Sequence, residues 1–170
     1  TGASTYDEIT FALNLIKKTH NNIAILQCTS KYPSPLESLN LNVIPQIKLK
    51  YNIPVGLSDH SVEPIVGPLL AIGLGASIIE KHFTIDKNLP GPDHKFALIP
   101  DELSQMIDSI RKGDRAKGNK NKSVLNEEKE LQKFAKRSIQ ATKKIMKGEI
   151  LKEGYNFDVL RPGNKLRGLE

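Results

Sequence analysis

The sequence predicts an α/β fold with a parallel sheet, because short apolar segments alternate with longer helical patterns. The segments 23–26, 53–57 and 76–79 are short and apolar, which suits strands buried on both faces. Between the last two lies the stretch 62–75, which is long enough for a crossover helix despite its prolines and glycines. Strand, crossover and strand then form a right-handed βαβ unit whose two strands run in the same direction.

Two helices are expected before this unit. An apolar stripe at helical spacing predicts the first helix over 6–19, and Thr5 with Glu8 forms a capping-box pattern at its start. The second helix is expected over 39–51, where Pro45 either kinks the helix or marks a late first turn. Each helix is followed by one of the apolar segments, which is the alternation that a parallel α/β sheet requires.

Beyond the βαβ unit the pattern changes from apolar segments to polar and charged ones. The stretch 83–99 is too polar and too rich in Pro and Gly for a strand, and long loops at the carboxyl ends of strands often carry function. The segment 113–123 is rich in Lys, Asn and Gly, which indicates a domain boundary. The other elements expected here are a helix over 100–111 opened by Pro100, a short charged helix over 126–134, and short β strands within 137–151 and 155–160.

The order of these elements matches one part of a (β/α)8 barrel. Three parallel strands are too few for a closed barrel, which takes about 250 residues, so the order fits the end of one. We therefore expect an α/β fold consisting of the C-terminal portion of a TIM barrel, followed by a truncated small β module. The expected domains are a partial barrel over 1–112, a linker and short helix over 113–136, and an incomplete β module over 137–170.

Composition excludes several classes of protein. With 38% hydrophobic and 26% charged residues, the chain is expected to be globular, and no apolar run has the roughly 18–20 residues of a membrane span. The net charge of +6 comes from a Lys-rich stretch between Arg111 and Lys152 with few aromatic residues, which favours a solvated surface over nucleic-acid binding. The single cysteine, Cys28, favours a packing role in a reducing cytoplasm. Because the chain starts at Thr1 with helix signals at once, we expect it to begin inside a larger protein.

Two histidines follow the two strands of the βαβ unit. His60 closes the run Ser58-Asp59-His60, and His82 closes the run Glu80-Lys81-His82. Parallel strands end at the same edge of a sheet and lie about 4.8 Å apart, so we expect the two imidazoles to converge on one ion. A histidine at a single strand end would more simply be a structural hydrogen-bonding group, and the paired placement is what favours a metal site.

The neighbours of these histidines allow two interpretations. Asp59 and Glu80 either orient a ligand imidazole from the second coordination shell or form salt bridges at the rim of the site. Lys81 is expected to pair with a neighbouring carboxylate rather than to form a Schiff base. The sequence leaves the choice for Asp59 and Glu80 open.

Several motifs together resemble the sialic acid synthases, a NeuB-like family that includes N-acetylneuraminate synthase and its legionaminic and pseudaminic acid relatives. The resemblance covers nearly the whole chain, and its most specific runs are Ser58-Asp59-His60, Glu80 to Thr84, and Gly91 to His94. The tail, with Arg161-Pro162-Gly163-Asn164, resembles the start of the antifreeze-like (SAF) domain that follows the barrel in this family. The supporting segments are Gln27 to Pro33, Gly75 to Ile79, Arg137 to Ile139 and Lys147 to Glu149.

The resemblance implies a condensation reaction. Such enzymes join phosphoenolpyruvate to an N-acetylated aldose such as N-acetylmannosamine, release phosphate and leave a nine-carbon 2-keto sugar acid. It also implies a divalent metal, most often Mn²⁺ with Mg²⁺ or Co²⁺ as alternatives, that polarises the sugar aldehyde. Two neutral imidazoles suit this role because they leave coordination positions open. The family further implies a domain-swapped homodimer when the protein is full length.

The family's functional residues map onto this chain position by position. His60 and His82 match the metal ligands, and Ser58 and Ser30 match groups that hold phosphoenolpyruvate, although the family often has asparagine at the latter position. The matches to sugar-binding groups are Tyr32, Asp93 and, from the SAF domain of the partner subunit, Arg161. The family's catalytic glutamates and phosphate-binding lysines belong to strands that precede this chain, so we expect the chain to be inactive alone.

Two other functional classes fit the same residues. Another metal-dependent barrel aldolase or lyase would keep the two histidines without binding phosphoenolpyruvate. A non-catalytic sugar-binding module would keep only the sugar contacts. The loop Gly91-Pro92-Asp93-His94 favours the neuraminate or legionaminate branch over the pseudaminate branch, but the sequence does not identify the aldose.

Overall fold

The computed structural model describes residues 1–162 and divides the chain into two compact units, Thr1–Asn119 and Lys120–Glu170. The first unit is an α/β layer with one parallel sheet, as the sequence predicts. Among the described residues, no helix has the length and apolarity that crossing a membrane would require. The elements of the first unit are α1 (Tyr6–Ile16), β1 (Ile25–Cys28), a 3₁₀ turn (Leu36–Ser38), α2 (Val43–Tyr51), β2 (Val55–Asp59), α3 (Val66–Gly73), β3 (Ile78–Lys81) and α4 (Pro100–Ala116).

The three strands pair in parallel in the order β1, β2, β3. Each strand begins and ends two residues later than the apolar segment that predicted it, so each extends into polar residues. The ladder is made by backbone groups, which pair regardless of side-chain polarity. Hydrophobic segments therefore located the strands but missed their carboxyl ends, which carry the candidate site.

One face of the sheet is covered by helices and forms the core of the first unit. Ile25, Val55 and Leu57 on the strands pack with apolar residues of the helices, and Leu57 is fully buried. The helical residues of this core are Leu13 on α1, Ile44 and Ile47 on α2, and Ala71 on α3. The alternate strand positions, among them Leu26, Gly56 and Ile78, lie together on the opposite face.

Helices α1 and α3 are shorter than predicted, and for α2 and α4 the difference from the predicted bounds has an identifiable reason. Helix α2 begins at Val43, so Pro45 falls in its first turn, where a missing N–H costs no hydrogen bond. Helix α4 continues to Ala116 instead of ending near Arg111, and Gly113 is helical rather than part of a linker. A Cβ atom at Gly113 would collide with the side chain of Leu69, so this glycine permits close packing of α4 on α3.

The second unit contains the predicted short helix and a pair of antiparallel strands. The helical part is a 3₁₀ turn (Asn126–Glu128) followed by α5 (Lys129–Ala135), and the strands are β4 (Ser138–Ala141) and β5 (Phe157–Leu160). The fully buried Asn156 donates to the carbonyl oxygen of Ile150 and accepts from the amide of Lys152, which fixes the connection before β5. This small pair of strands does not by itself identify the SAF module, which stays a prediction.

The close approach at Gly56 yields a stability prediction. A Cβ atom there would lie 2.5 Å from the carbonyl oxygen of Ile78 and would collide with the side chain of Leu26. Gly56→Ala should therefore lower the free energy of unfolding by about 1–3 kcal/mol through overpacking, as measured by denaturant unfolding of the full-length gene product. Gly73→Ala is the control, because nothing lies within 4 Å of a Cβ there. Equal stability of the Gly56→Ala variant and the unmodified protein would contradict this account of the sheet.

Candidate functional site

Alternation along β2 and β3 divides the two polar runs between the faces of the sheet. Ser58 is paired with Glu80 and Asp59 with Lys81 in the parallel register. Successive side chains point to opposite faces, so Ser58 and Glu80 lie on the face opposite the helices, with His60 and His82 continuing on that side. The middle residue of each run, Asp59 or Lys81, lies on the helical side.

His60 is held by the loop that follows β1. The residue is 5% exposed, and its Nδ1 lies 2.8 Å from the carbonyl oxygen of Thr29. A carbonyl oxygen only accepts, so Nδ1 donates and Nε2 carries the lone pair. The backbone of His60 is also held, because the amide of Ser34 donates to its carbonyl oxygen at 2.8 Å. A ring fixed through one nitrogen to a backbone carbonyl is the arrangement typical of metal-ligating histidines.

His82 lies opposite His60 across the same space. The ring centroids are 5.2 Å apart, and the planes meet at 66°. Asp93 also approaches, with Oδ2 3.9 Å from Nε2 of His82. The structure therefore brings these three predicted site residues to one edge of the sheet, whereas their binding roles stay predictions.

Aromatic rings support both histidines. The Tyr32 ring lies 4.1 Å from that of His60 at an interplanar angle of 33°, and 5.9 Å from that of His82. Phe96, which is buried, packs edge-on against His82 with centroids 5.0 Å apart. Sequence reasoning missed Phe96, and the available signal was that it opens the apolar run 96–99 at the end of an otherwise polar, Pro- and Gly-rich loop.

Asp59 forms a buried ion pair instead of orienting an imidazole. Its Oδ2 lies 2.8 Å from Nζ of Lys81, with side-chain exposures of 0% and 2%, respectively. Burial lowers the pKa of the Lys81 ammonium, and its hydrogen bond to Asp59 and the charge of that carboxylate oppose the shift. Of the two interpretations left open by the sequence, the salt bridge is the correct one for Asp59, but it lies under the sheet rather than at an exposed rim.

Glu80 fits neither of those interpretations. Its Oε1 accepts a hydrogen bond of 2.6 Å from Oγ of Ser58, its partner in the register. Oγ of Ser58 also lies 3.5 Å from Nε2 of His60. The carboxylate thus orients a hydroxyl group that faces the imidazole, because directly paired positions on neighbouring strands bring their side chains together.

Ser30 follows Thr29, whose carbonyl oxygen bonds to His60, and no contact of Ser30 with either histidine ring is observed among the described residues. It lines a cavity of about 540 Å³ with Thr29, Ser38 and Asn40, and the lining of this cavity does not include His60 or His82. A Cβ atom at Gly2 would collide with Oγ of Ser30, so the start of the chain packs closely against this residue. Its expected role with phosphoenolpyruvate stays a prediction.

The loop that carries Asp93 is held by its own contacts. Nδ1 of His94 lies 2.8 Å from Oγ1 of Thr84. Gly91 adopts φ of 145°, and a Cβ atom there would lie 3.0 Å from the His94 ring. The ends of the loop are joined because the amide of Leu98 donates to the carbonyl oxygen of His82 at 2.9 Å. These contacts set the position of Asp93 opposite His82.

The remaining predicted site residue, Arg161, belongs to the second unit. It follows β5 and is exposed. Gly163 and Asn164, which contributed to the resemblance of the tail, lie outside the described residues.

The number of potential ligand side chains at the site limits how a metal ion could be bound there. Within residues 1–162, no three His, Cys, Asp or Glu side chains are arranged to hold a metal ion. Two imidazoles with an open side nevertheless fit a cation that completes its coordination with substrate or water oxygens. The residues present therefore fit the implied metal.

A parallel α/β sheet that gathers histidine, serine and acidic side chains beyond the carboxyl ends of its strands defines the class of this protein. Its site lies where parallel α/β enzymes place theirs. Within this class the chain belongs to the NeuB family, whose family model matches residues 1–122.

Curated relatives are similar along most of the chain. The Bacillus subtilis spore coat polysaccharide biosynthesis protein SpsE is 46% identical over an aligned region that covers 88% of this chain and 44% of SpsE. The N,N'-diacetyllegionaminic acid synthase of Campylobacter jejuni is 40% identical, covering 99% of this chain and 51% of its own length. A pseudaminic acid synthase of C. jejuni is also 40% identical, covering 95% and 47%. The chain thus spans about half the length of these relatives.

Solved structures share the arrangement of the chain. The structure of B. subtilis SpsE matches with a TM-score of 0.66 at 43% identity, covering 99% of this chain and 51% of that one. The N-acetylneuraminic acid synthetase of Leptospira borgpetersenii, solved with citrate, matches with a TM-score of 0.71 at 35% identity, covering 76% and 45%. The parallel α/β arrangement is therefore shared with both structures, one of which is a sialic acid synthetase.

The stacking of Tyr32 on His60 yields a prediction about access to the imidazole. Tyr32→Ala should raise the rate at which diethyl pyrocarbonate modifies His60 severalfold, because the covering ring is removed. Tyr32→Phe should leave the rate unchanged, and the exposed His20 serves as an internal reference. Mass spectrometry of metal-free full-length protein measures both rates. If the alanine and phenylalanine variants reacted equally at His60, the ring would not be its cover.

Proposed function

We propose that this chain is part of a synthase that condenses phosphoenolpyruvate with an N-acetylated aldose to form a sialic acid-type sugar acid. The observation that carries the proposal is the pairing of His60 and His82, whose rings lie 5.2 Å apart at the carboxyl edge of the sheet. Membership of the NeuB family and the activities for which its relatives are named support the reaction class. The function rests on this site rather than on the fold, which hosts many chemistries.

His60 and His82 would hold the divalent cation, with Mn²⁺ as the first candidate and Mg²⁺ or Co²⁺ as alternatives. When bound, the cation supplies Lewis-acid polarisation of the aldehyde oxygen. Because Nδ1 of His60 donates to the carbonyl oxygen of Thr29, Nε2 is the nitrogen that would be available to a cation. Tyr32 and Phe96 limit the freedom of the rings and exclude water from one side of them.

The other predicted residues would hold the two substrates. Ser58 and Ser30 are proposed to bind phosphoenolpyruvate through their hydroxyl groups, the first of which is oriented by Glu80. Tyr32 and Asp93 are proposed to contact the aldose, with the carboxylate accepting hydrogen bonds from sugar hydroxyl groups. The reaction joins C3 of phosphoenolpyruvate to the aldehyde carbon, adds the oxygen of water at C2 and releases phosphate.

The proposal also includes which aldose the enzyme uses. Relatives named for legionaminic and pseudaminic acid are equally similar, at 40% identity each, so overall identity does not separate the branches. We favour the neuraminate or legionaminate branch on the loop Gly91-Pro92-Asp93-His94, whose carboxylate faces His82. A comparison of N-acetylmannosamine with the diacetylated aldoses of the other branches as substrates decides this point.

The metal site gives the direct test of the proposed function. His60→Ala or His82→Ala in the full-length gene product should lower Mn²⁺ affinity by more than the roughly 10–100-fold cost of losing an outer partner and abolish metal-dependent synthesis. His20→Ala, at an exposed position, is the matched control. Free Mn²⁺ is measured by electron paramagnetic resonance, and phosphate release by a coupled assay.

Thermal-shift titration of the same protein separates the proposal from its rivals. A synthase should be stabilised by Mn²⁺ and by phosphoenolpyruvate, an aldolase mainly by the metal, and a sugar-binding module by sugar alone. Unchanged Mn²⁺ affinity in both histidine variants would contradict the metal site.

Arg161 is proposed to act across a homodimer in which each subunit's C-terminal module completes the sugar site of its partner. A guanidinium suits this role because it is always charged and presents a rigid fork of donors. Mixing full-length His82→Ala and Arg161→Ala subunits, each nearly inactive, should restore activity to about a quarter of the unmodified level, since half of the dimers then contain one intact site.

Two controls accompany the mixing experiment. His82→Ala mixed with His60→Ala should restore nothing, because both losses lie in the same unit and no mixed dimer gains an intact metal site. Subunit exchange is verified with differently tagged chains. Absence of recovery despite verified exchange would rule out action in trans.

A further inference from the structure

The Lys81 ammonium is bonded to the segment that carries His60. Its Nζ lies 2.8 Å from Oδ2 of Asp59 and 2.6 Å from the carbonyl oxygen of Ser61. It also lies 3.1 Å from Oγ of Ser61 and 3.0 Å from the carbonyl oxygen of Glu63. All four oxygen atoms therefore come from one short stretch immediately around and after His60.

These bonds are buried, and neighbouring groups hold the Asp59 carboxylate in one orientation. The side chains of Lys81 and Asp59 are 2% and 0% exposed, so solvent does not replace either partner. The other oxygen of Asp59 accepts from the amide of Ser61 at 2.8 Å. Helix α3 closes the remaining side, because a Cβ atom at Gly67 would lie only 2.9 Å from Oδ2 of Asp59.

The same lysine is directly joined to His82 along the chain. His60 lies between two residues that bond to Lys81, namely Asp59 and Ser61, and His82 is the residue after Lys81. Consecutive Cα atoms are about 3.8 Å apart, so fixing Lys81 against this segment fixes the backbone of both histidines relative to each other. The histidines continue on the other face of the sheet.

We propose that Lys81 and Asp59 are positioning residues that set the separation of the His60 and His82 imidazoles from beneath the sheet. This inference rests on the proposed function, in which the two imidazoles share one cation. A pair of apolar side chains would fill the same volume, and such replacements of buried ion pairs often preserve stability. An apolar pair would lack the directional bonds that hold the segment after β2. The role of the ion pair is therefore to fix the position of this segment rather than to stabilise the fold.

The experiment separates positioning from folding with an apolar double variant. Asp59→Leu with Lys81→Met removes both charges together, which avoids the unpaired buried charge that either single variant would leave. Lys87→Met is the matched control, because it breaks the ion pair of Lys87 with Glu102, which is 2.8 Å long and partly exposed. Each variant is made in the full-length gene product and compared at a temperature where its melting curve shows a folded protein.

Two measurements report on the geometry. Mn²⁺ affinity, followed by electron paramagnetic resonance, should fall by roughly 10–100-fold in the double variant and stay unchanged in Lys87→Met. Hydrogen exchange of the Ser34 amide, which donates to the carbonyl oxygen of His60 at 2.8 Å, should accelerate in the double variant without any metal present. If this double variant does not fold, the double variant Asp59→Asn with Lys81→Met is measured in the same way, because it also removes both charges and keeps an oxygen that accepts from the Ser61 amide.

The possible outcomes distinguish this inference from the proposed function. A folded variant without the ion pair that keeps both the Mn²⁺ affinity and the Ser34 exchange rate of the unmodified protein would overturn the positioning role. Faster Ser34 exchange together with weaker Mn²⁺ binding would support it. An unmodified protein that binds no Mn²⁺ would instead overturn the proposed function and, with it, the role assigned to the pair.

Discussion

The parallel pairing of β2 with β3, in the register that sets Ser58 beside Glu80, is the constraint on which the site depends. A slip of one residue would turn every side chain of one strand to the other face. The histidines would then be separated, and Asp59 or Lys81 would lose its buried partner. Side-chain alternation thus gives each three-residue run two functions, with ligand candidates on one face and an ion pair on the other.

Close packing makes this arrangement rigid. Gly56 allows β2 to lie between the side chain of Leu26 and the backbone of Ile78, and Gly67 allows α3 to approach Asp59. Gly113 does the same for α4 against α3. These three glycines are therefore positions of contact between elements, where a side chain would force the elements apart.

Most of the fold was predictable because its pattern is local. Alternation of apolar segments and helices gave the order of elements and the parallel direction of the strands, and the position of the two histidines at the strand ends gave the edge at which they meet. Strand ends were missed because polar residues continue the backbone ladder. Phe96 was missed because a loop has no periodicity from which a buried ring is inferred.

The sequence by itself determined the α/β class, the family motifs and the residue types of the site, since these follow from composition, spacing and order along the chain. Only the tertiary structure decided which partner each side chain has. Asp59 bonds to Lys81 and Glu80 to Ser58, although the sequence allowed either acid to orient an imidazole. The reason is geometric, because a contact depends on register and on the face of the sheet, and both are set by residues distant in sequence.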